Sequence, residues 1–424
     1  MKKQILLLVF LVGAVIPLWA QNLQPVSLQE CLQKAVENFP NEKQLQYNQQ
    51  THQLKEEIIN KNYLPSLNLN GQASHQSDVT SISLPIPGIA IPTISKNMYK
   101  LNLDLQQLIW DGGMTSSQNK LEVNSYQIAD QQVKISTYQQ KQRVTILYFN
   151  ILFQQENLKV LHVLIEDLNA RITDAQSGLA NGAVLASDVD VLKVSQMQAR
   201  QAIIENQEDT KGLLDEMNEL TGLKIQSVTQ LQTPEFKATQ FPFENNRPEF
   251  RLLTLQQNNI KDLKKLYTAI RMPTFVAFGQ AGYGRPGYNM LNNDFKTYYM
   301  IGLQLHWNIF DWNHVKKEKQ VLSIQKNILQ TEKETFDQNL RVEYKKQLAA
   351  IEKYQKLVST DQQIVNLQDQ VVATSQSKLK NGTITPADYL IQLNKKIKAM
   401  LTMDAHHLQL LFTKYQYMTA IGNL

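Results

Sequence analysis

YKLNLDLQQLIWD, residues Tyr99–Asp111, alternates leucine with polar side chains before it meets an aromatic and an aspartate. A period of two places Leu101, Leu103 and Leu105 on one face of a β-strand and Asn102, Asp104 and Gln106 on the other. The Asp111-Gly112-Gly113 turn that follows opens onto a long helical pattern. The stretch returns 200 residues later as YMIGLQLHWNIFD, Tyr299–Asp311, with Tyr, two Leu, Ile and Asp in the same places. There Leu303, Leu305, Trp307 and Ile309 alternate with Gly302, Gln304, His306 and Asn308.

Working outward, the duplication widens. Downstream, SGLANGAVLASDVD (Ser177–Asp190) and SKLKNGTITPADYL (Ser377–Leu390) share Ser, Leu, Asn, Gly and Asp at the same displacement. Asn-Gly is a helix stop, because both residues tolerate the left-handed conformation. Thr385-Pro386 is a restart, with an N-cap hydroxyl and a proline at the first helical position. Upstream, NFPNE from Asn38 pairs with NRPEF from Asn246, and LPSLNLNG from Leu64 with MPTFVAFG from Met272, now displaced by 208. The change of register falls between Gly71 and Tyr99, in loop-rich sequence where insertions are tolerated.

Between strand and turn the period becomes that of a coiled coil. Leu147, Ile151, Gln154, Leu158, Leu161, Ile165, Leu168, Ile172, Ala175 and Leu179 step by four and three, and Gln154 alone is polar. Val189, Leu192, Gln196, Ala199, Ile203, Asn206, Thr210, Leu213, Met217 and Leu220 continue this spacing after the turn, with more polar members. A helix from Gly113 to Leu179 spans about 100 Å at its rise per residue.

The spacing therefore predicts a leader over 1–20, a first structural repeat over 21–225, a linker over 226–248 and a second repeat over 249–424. In the first, strands are expected near 64–76 and 98–110 and long helices over 112–180 and 186–221. In the second they are expected near 272–284 and 297–310, with helices over 312–380 and 386–421. A first helix runs from about Leu28 to Tyr63, broken at Asn38-Phe39-Pro40.

Two lysines followed by an apolar run from Ile5 to Leu18, with Ala20 suited to cleavage, make the leader a secretory signal peptide. Beyond it no apolar run approaches the roughly 20 residues of a spanning helix. The chain of 424 residues carries a formal charge of +5, or +3 without Lys2 and Lys3, and no basic stripe with interleaved aromatics, so nucleic acid is not a partner. One cysteine, Cys31, rules out an internal disulfide and is read as a small buried hydrophobe.

Strands of about ten residues, apolar on one face, are the pattern of transmembrane β-barrels. Tyr63, Tyr99, Trp110, Tyr298, Tyr299 and Phe310 near their ends suit the membrane interface. A soluble sheet with one buried face alternates identically. Four strands cannot close a membrane barrel, and an open edge in lipid is not viable. Three chains give twelve strands, within the bacterial range. The helices then leave one end of the barrel, and the Asn-Gly turns end the tube.

With these elements in order, the sequence resembles the TolC-like outer-membrane efflux proteins. The resemblance rests on the duplicated strand-strand-helix-turn-helix order, Arg247-Pro248-Glu249 at the second repeat, the Leu64-Pro65 and Met272-Pro273 strand entries and the Asn-Gly…Asp tips. It implies an α+β membrane protein: a homotrimeric channel-tunnel with a twelve-stranded outer-membrane β-barrel, four strands per chain, on a periplasmic α-helical coiled-coil barrel. It implies a passive conduit in a tripartite efflux or secretion system, with a periplasmic adaptor protein, an inner-membrane pump of RND or ABC type and outer-membrane lipid as partners. Relatives often carry a further acidic residue one turn past the second tip aspartate, where this chain has Ile391 and, in the first repeat, Asp190 nearby.

No catalytic constellation, phosphate loop or zinc spacing is present, and neither enzyme activity, cofactor nor metal is expected. Asp188, Asp190 and Asp388 are the candidate pore constriction. For Asp188 and Asp388 a helix-start role, complementing the dipole, is an equally open reading. Asn181, Gly182, Asn381, Gly382 and Thr383 are turn residues and the candidate adaptor contact. Leu101, Leu103, Leu105, Leu303 and Leu305 are expected to face lipid. The competing reading is an exported coiled-coil structural or adhesive protein without a pore.

Overall fold

The computed structural model describes residues 25–80, 94–238 and 240–424. The leader expected over 1–20 lies outside them. In each half two strands precede a pair of long helices. The first half has α1 (Leu28–Glu37), α2 (Lys43–Asn60), β1 (Ser66–His75), β2 (Asn97–Trp110), α3 (Met114–Ala180) and α4 (Ala186–Thr221). The second has α5 (Pro248–Ala269), β3 (Thr274–Arg285), β4 (Lys296–His306), α6 (His314–Lys380) and α7 (Pro386–Ile421). The helices α3 and α6 both have 67 residues, and α4 and α7 both have 36. Equal lengths on both sides of a turn mark one unit used twice.

Local chemistry sets the boundaries. Pro65 and Pro273 have no N–H for a ladder, and β1 and β3 begin one residue later. Asp111, 1% exposed, accepts from the backbone N–H groups of Gly113 (2.9 Å), Met114 (3.1 Å) and Thr115 (2.6 Å), so it caps α3. The Tyr63 hydroxyl adds a fourth bond at 2.9 Å. Burial alone would raise this carboxyl, but the Thr115, Tyr63 and Gly113 bonds outweigh it and hold it below the usual range. Asp311 repeats the cap on Asn313 and Val315 N–H groups, both at 3.1 Å. The turn needs two residues at positive φ. Gly112 and Gly113 supply 68° and 85°; the second copy forces Trp312 and Asn313 to 53° and 62°.

The chain packs as two compact units, each drawing on both repeats, so the repeats are not separate domains. One unit comprises the described residues through Lys34, Leu147–Glu235 and Gln368–Leu401. Its core interleaves Leu168 and Ile172 of α3, Val189 and Leu192 of α4, Val372 of α6 and Tyr389 and Leu393 of α7. Gln154 and Asn206, polar members of the two heptad runs, meet: Asn206 Nδ2 donates to Gln154 Oε1 at 2.6 Å. Cys31 is fully buried here, and burial, with Glu30 nearby, pushes its thiol up to about 12.

The other unit comprises Ala35–Ile146, Phe236–Leu367 and Thr402–Leu424. It holds one antiparallel sheet in the order β1-β2-β3-β4. Arg247 links the start of α5 to other helices of this unit. Its guanidinium lies 4.9 Å from the Tyr138 ring centroid and donates to Glu249 (2.9 Å) and the Thr419 carbonyl (3.1 Å). The linker is not a free tether. In the first unit Leu231 bridges to Val26, and the Tyr148 hydroxyl reaches the Gln232 carbonyl at 2.6 Å. In the second, Tyr344 and Tyr417 hydroxyls hold the carbonyls of Phe241 (2.8 Å) and Pro242 (2.6 Å).

Candidate functional site

Each helical hairpin turns through the same motif. Ala183 N–H bonds the Gly178 carbonyl at 2.8 Å and Gly182 N–H that of Leu179 at 3.0 Å. The second copy pairs Thr383 with Lys378 at 2.9 Å and Gly382 with Leu379 at 3.0 Å. These are Schellman closures, with Gly182 and Gly382 at φ of 72° and 68°. Asn181, Gly182, Asn381, Gly382 and Thr383 are all exposed.

The tip aspartates start the return helices. Asp388 accepts from the Thr385 N–H at 3.1 Å and the Thr385 hydroxyl at 2.8 Å, while its own N–H reaches that hydroxyl at 3.2 Å. This is a reciprocal capping box. The Thr385 hydroxyl first, then its N–H, lowers the Asp388 carboxyl below its ordinary value. The first copy has half of the box. Leu185 replaces the threonine, and only its N–H reaches Asp188, at 3.4 Å. Asp188 and Asp388 line one cleft of about 640 Å³ inside the same compact unit. Asp190 is not among its lining residues; its side chain is 72% exposed, with Lys193 Nζ at 3.9 Å.

A polar chain that includes Arg171 and Asp174 of the cleft's own lining escaped the sequence reading. Tyr389, fully buried, donates its hydroxyl to Asp167 at 2.8 Å. Arg171 lies 5.7 Å from the Tyr389 ring centroid and donates to Asp174 at 2.7 Å. Burial first, then the bond and charge of Asp167, push the Tyr389 hydroxyl up, against Arg171. The group ties α3 to the first turn of α7. Its only sequence signal is Asp167-Arg171-Asp174, spaced four and three along one helix face.

On the sheet, ladder register sorts the side chains by polarity. Leu67 pairs with Leu105, and Leu69 with Leu103. Across the other half Ala277 pairs with Leu303, and Phe275 with Leu305. Leu101, Leu103 and Leu105 are 44–52% exposed, and Leu303 and Leu305 are 80% and 57% exposed. The opposite face is a hydrogen-bonded array. Asp104 accepts from Asn70 (2.5 Å) and Gln280 (2.6 Å), and the Tyr288 hydroxyl donates to Gln280 at 2.6 Å. Tyr298 belongs to this polar face, not to an interfacial belt: its hydroxyl donates to Asn102, and its ring covers Gly282. Strand β4 stops at His306, short of the expected 310, because its partner β3 begins at Thr274 and offers no further ladder. Trp307 instead donates its indole N–H to the Arg271 carbonyl at 3.1 Å.

Among the described residues no group of three or more His, Cys, Asp or Glu could hold a metal. No described helix is long and apolar enough to cross a membrane. Residues 243–408 match the family model described as outer membrane efflux protein. No curated protein matches the chain. Solved structures share its fold over nearly its full length. The outer membrane protein VceC of Vibrio cholerae is 12% identical, with 93% of this chain and 96% of that one covered and a TM-score of 0.70. The CmeC outer membrane channel of Campylobacter jejuni is 14% identical, covers 93% and 85%, and scores 0.67. The MtrE outer membrane channel of Neisseria gonorrhoeae, in its open state, is 15% identical, covers 93% and 88%, and scores 0.66.

Proposed function

We propose that this chain, an outer membrane efflux protein by its second repeat and by its fold, is the outer-membrane duct of a tripartite efflux or secretion system. Three copies close a twelve-stranded barrel continued by a periplasmic helical tube. Substrates reach it from an inner-membrane pump of RND or ABC type through a periplasmic adaptor that meets the exposed Asn-Gly tips. The protein catalyses no reaction; it supplies a path.

One observation carries this reading: a four-stranded sheet with a large exposed apolar face, a hydrogen-bonded polar face and two open edges, β1 and β4. In water such an apolar face must be covered, and in lipid such edges must be paired. Closure by copies of the same chain pairs the edges, and lipid around the closed barrel covers the apolar face. An exported adhesin built of coiled coils gives no reason for the exposed leucines.

At the tips, six carboxylates from Asp188 and Asp388 of three chains would gather near the axis and favour cations, with Asp190 as an outer contributor. The helix-start role of Asp188 and Asp388 is compatible with this. Mass measurement in detergent should return three protomers, and a stable pore-free monomer would refute the architecture. Cross-linking in cells followed by purification should recover the adaptor and identify the pump class.

A further inference from the structure

The loop between β3 and β4 does not stand off the end of the sheet. Tyr288 lies three residues past Arg285, the last residue of β3, yet its hydroxyl donates to Gln280, five residues before that end. Five strand residues span about 17 Å. The loop therefore folds back over the polar face, where the Tyr288 ring meets the Tyr298 ring at 4.6 Å and 61°. A Cβ added to Gly287 would stand 3.4 Å from Lys296 Cβ and 3.6 Å from Tyr298 Cδ1. Both tyrosine hydroxyls already donate to amide oxygens, those of Gln280 and Asn102, so the rings are held in place. Tyr288 is still 51% exposed, which leaves its ring open to a ligand.

Ladder register brings two lysines to this ledge. Lys100 of β2 and Lys296 of β4 both pair with Gly284 of β3, one from each side. They share the polar parity of Asn102 and Tyr298, one same-face step nearer the loops. Lys100 Cγ lies 3.2 Å from where a Gly284 Cβ would stand, so the lysine stem runs against the bare glycine. Neither ammonium forms an ion pair among the described residues. Two acids are close by. Asp104, two same-face steps from Lys100, already accepts one amide bond on each oxygen, from Asn70 and Gln280. Asp294, two residues before Lys296, is exposed and pairs with neither lysine. Two strand spacings separate the lysine backbones by about 10 Å, a span that long side chains close around one carboxylate.

We propose that Lys100, Lys296 and the Tyr288 ring form a binding station for aromatic carboxylates on the lumen side of the barrel. This rests on the barrel reading above, which turns the polar face to the lumen. The carboxylate sits between the two ammonium groups, and the ligand's ring stacks on Tyr288, offset or edge to face. Tyr298 and Gln280 hold Tyr288 for that contact. A trimer carries three stations. Their charge is opposite to that of the tip aspartates, which belong to the other compact unit, so the station favours organic anions among the solutes that pass.

The test uses the protein in phosphatidylcholine nanodiscs, with the mass of the assembly checked. Saturation-transfer NMR titrations at neutral pH, against empty discs, then compare benzoate, cyclohexanecarboxylate and benzylammonium. Benzoate should bind about two- to tenfold more tightly than cyclohexanecarboxylate, which has its charge and size but no π face. Tyr288→Leu should bring that ratio to about one, whereas Tyr288→Phe, which loses only the bond to Gln280, should keep it. Lys100→Gln/Lys296→Gln should weaken both carboxylates by about tenfold, and Lys100→Arg/Lys296→Arg should hold them at the parent affinity. Trimers of normal mass whose benzoate affinity ignores the loss of both lysines would overturn the station and leave the barrel standing. Tighter binding of benzylammonium than of benzoate, lost in Asp104→Asn, would overturn it in favour of a cation site. A parent protein that forms no trimer would overturn the station and the barrel reading together.

Discussion

Arginine at position 103 probes the orientation of the sheet. Leu103 lies midway along the fourteen residues of β2, between Leu69 on β1 and Ala281 on β3. If this face meets lipid, a guanidinium there sits near the bilayer midplane and costs about 2–4 kcal/mol. Trimeric closure repeats the cost three times, about 6–12 kcal/mol per barrel, comparable with the whole stability of a typical domain. Leu103→Arg should therefore abolish the assembled barrel. Asn102→Arg, one residue away, should be tolerated. It removes the acceptor of the Tyr298 hydroxyl, about 1 kcal/mol, and places a cation on the face that carries Asp104. The assay is the fraction of urea-resistant, outer-membrane trimer for each variant at matched expression. Normal assembly of Leu103→Arg with failure of Asn102→Arg would mean that the leucine face looks into the lumen.

Three further expectations follow from the tips and turns. Asp188→Asn/Asp388→Asn should weaken cation selectivity in single-channel recordings with the trimer intact; unchanged selectivity and conductance would leave both aspartates as helix starters alone. Tyr389→Phe removes one bond to a carboxylate while keeping the ring, and should cost about 1.5 kcal/mol, read as roughly tenfold faster amide exchange in the first turns of α7; exchange within twofold of the parent would show that the hydroxyl holds nothing. Gly382→Ala, with open space around it, should cost only the backbone term of about 1–2 kcal/mol. Gly112→Ala adds a Cβ 2.2 Å from that of Met272 and should cost about 1–3 kcal/mol more, measured as the lower melting temperature of the two.

Much of the architecture is carried by local sequence. A period of two in Leu101–Leu105 and Leu303–Leu305 can be satisfied only by strands, a period near 3.5 over Leu147–Leu179 only by a long packed helix, and Asn-Gly with Thr385-Pro386 only by a tight helical turn. These signals act within a few residues of the chain, so the sequence alone determines element type, order and duplication. Where β4 ends, where Tyr298 points and how Asp167, Arg171 and Tyr389 meet depend on partners far away in sequence. Ladder register turned Tyr298 toward Asn102, and the late start of β3 stripped Trp307–Phe310 of a partner. Tyr389 finds Asp167 across 222 positions because two helices pack side by side, and no spacing along one chain encodes that distance. The same holds for Trp312. Asp311 must reach the N–H groups of Asn313 and Val315 to cap α6, and that closure, made in three dimensions, is what forces a tryptophan into glycine's conformation.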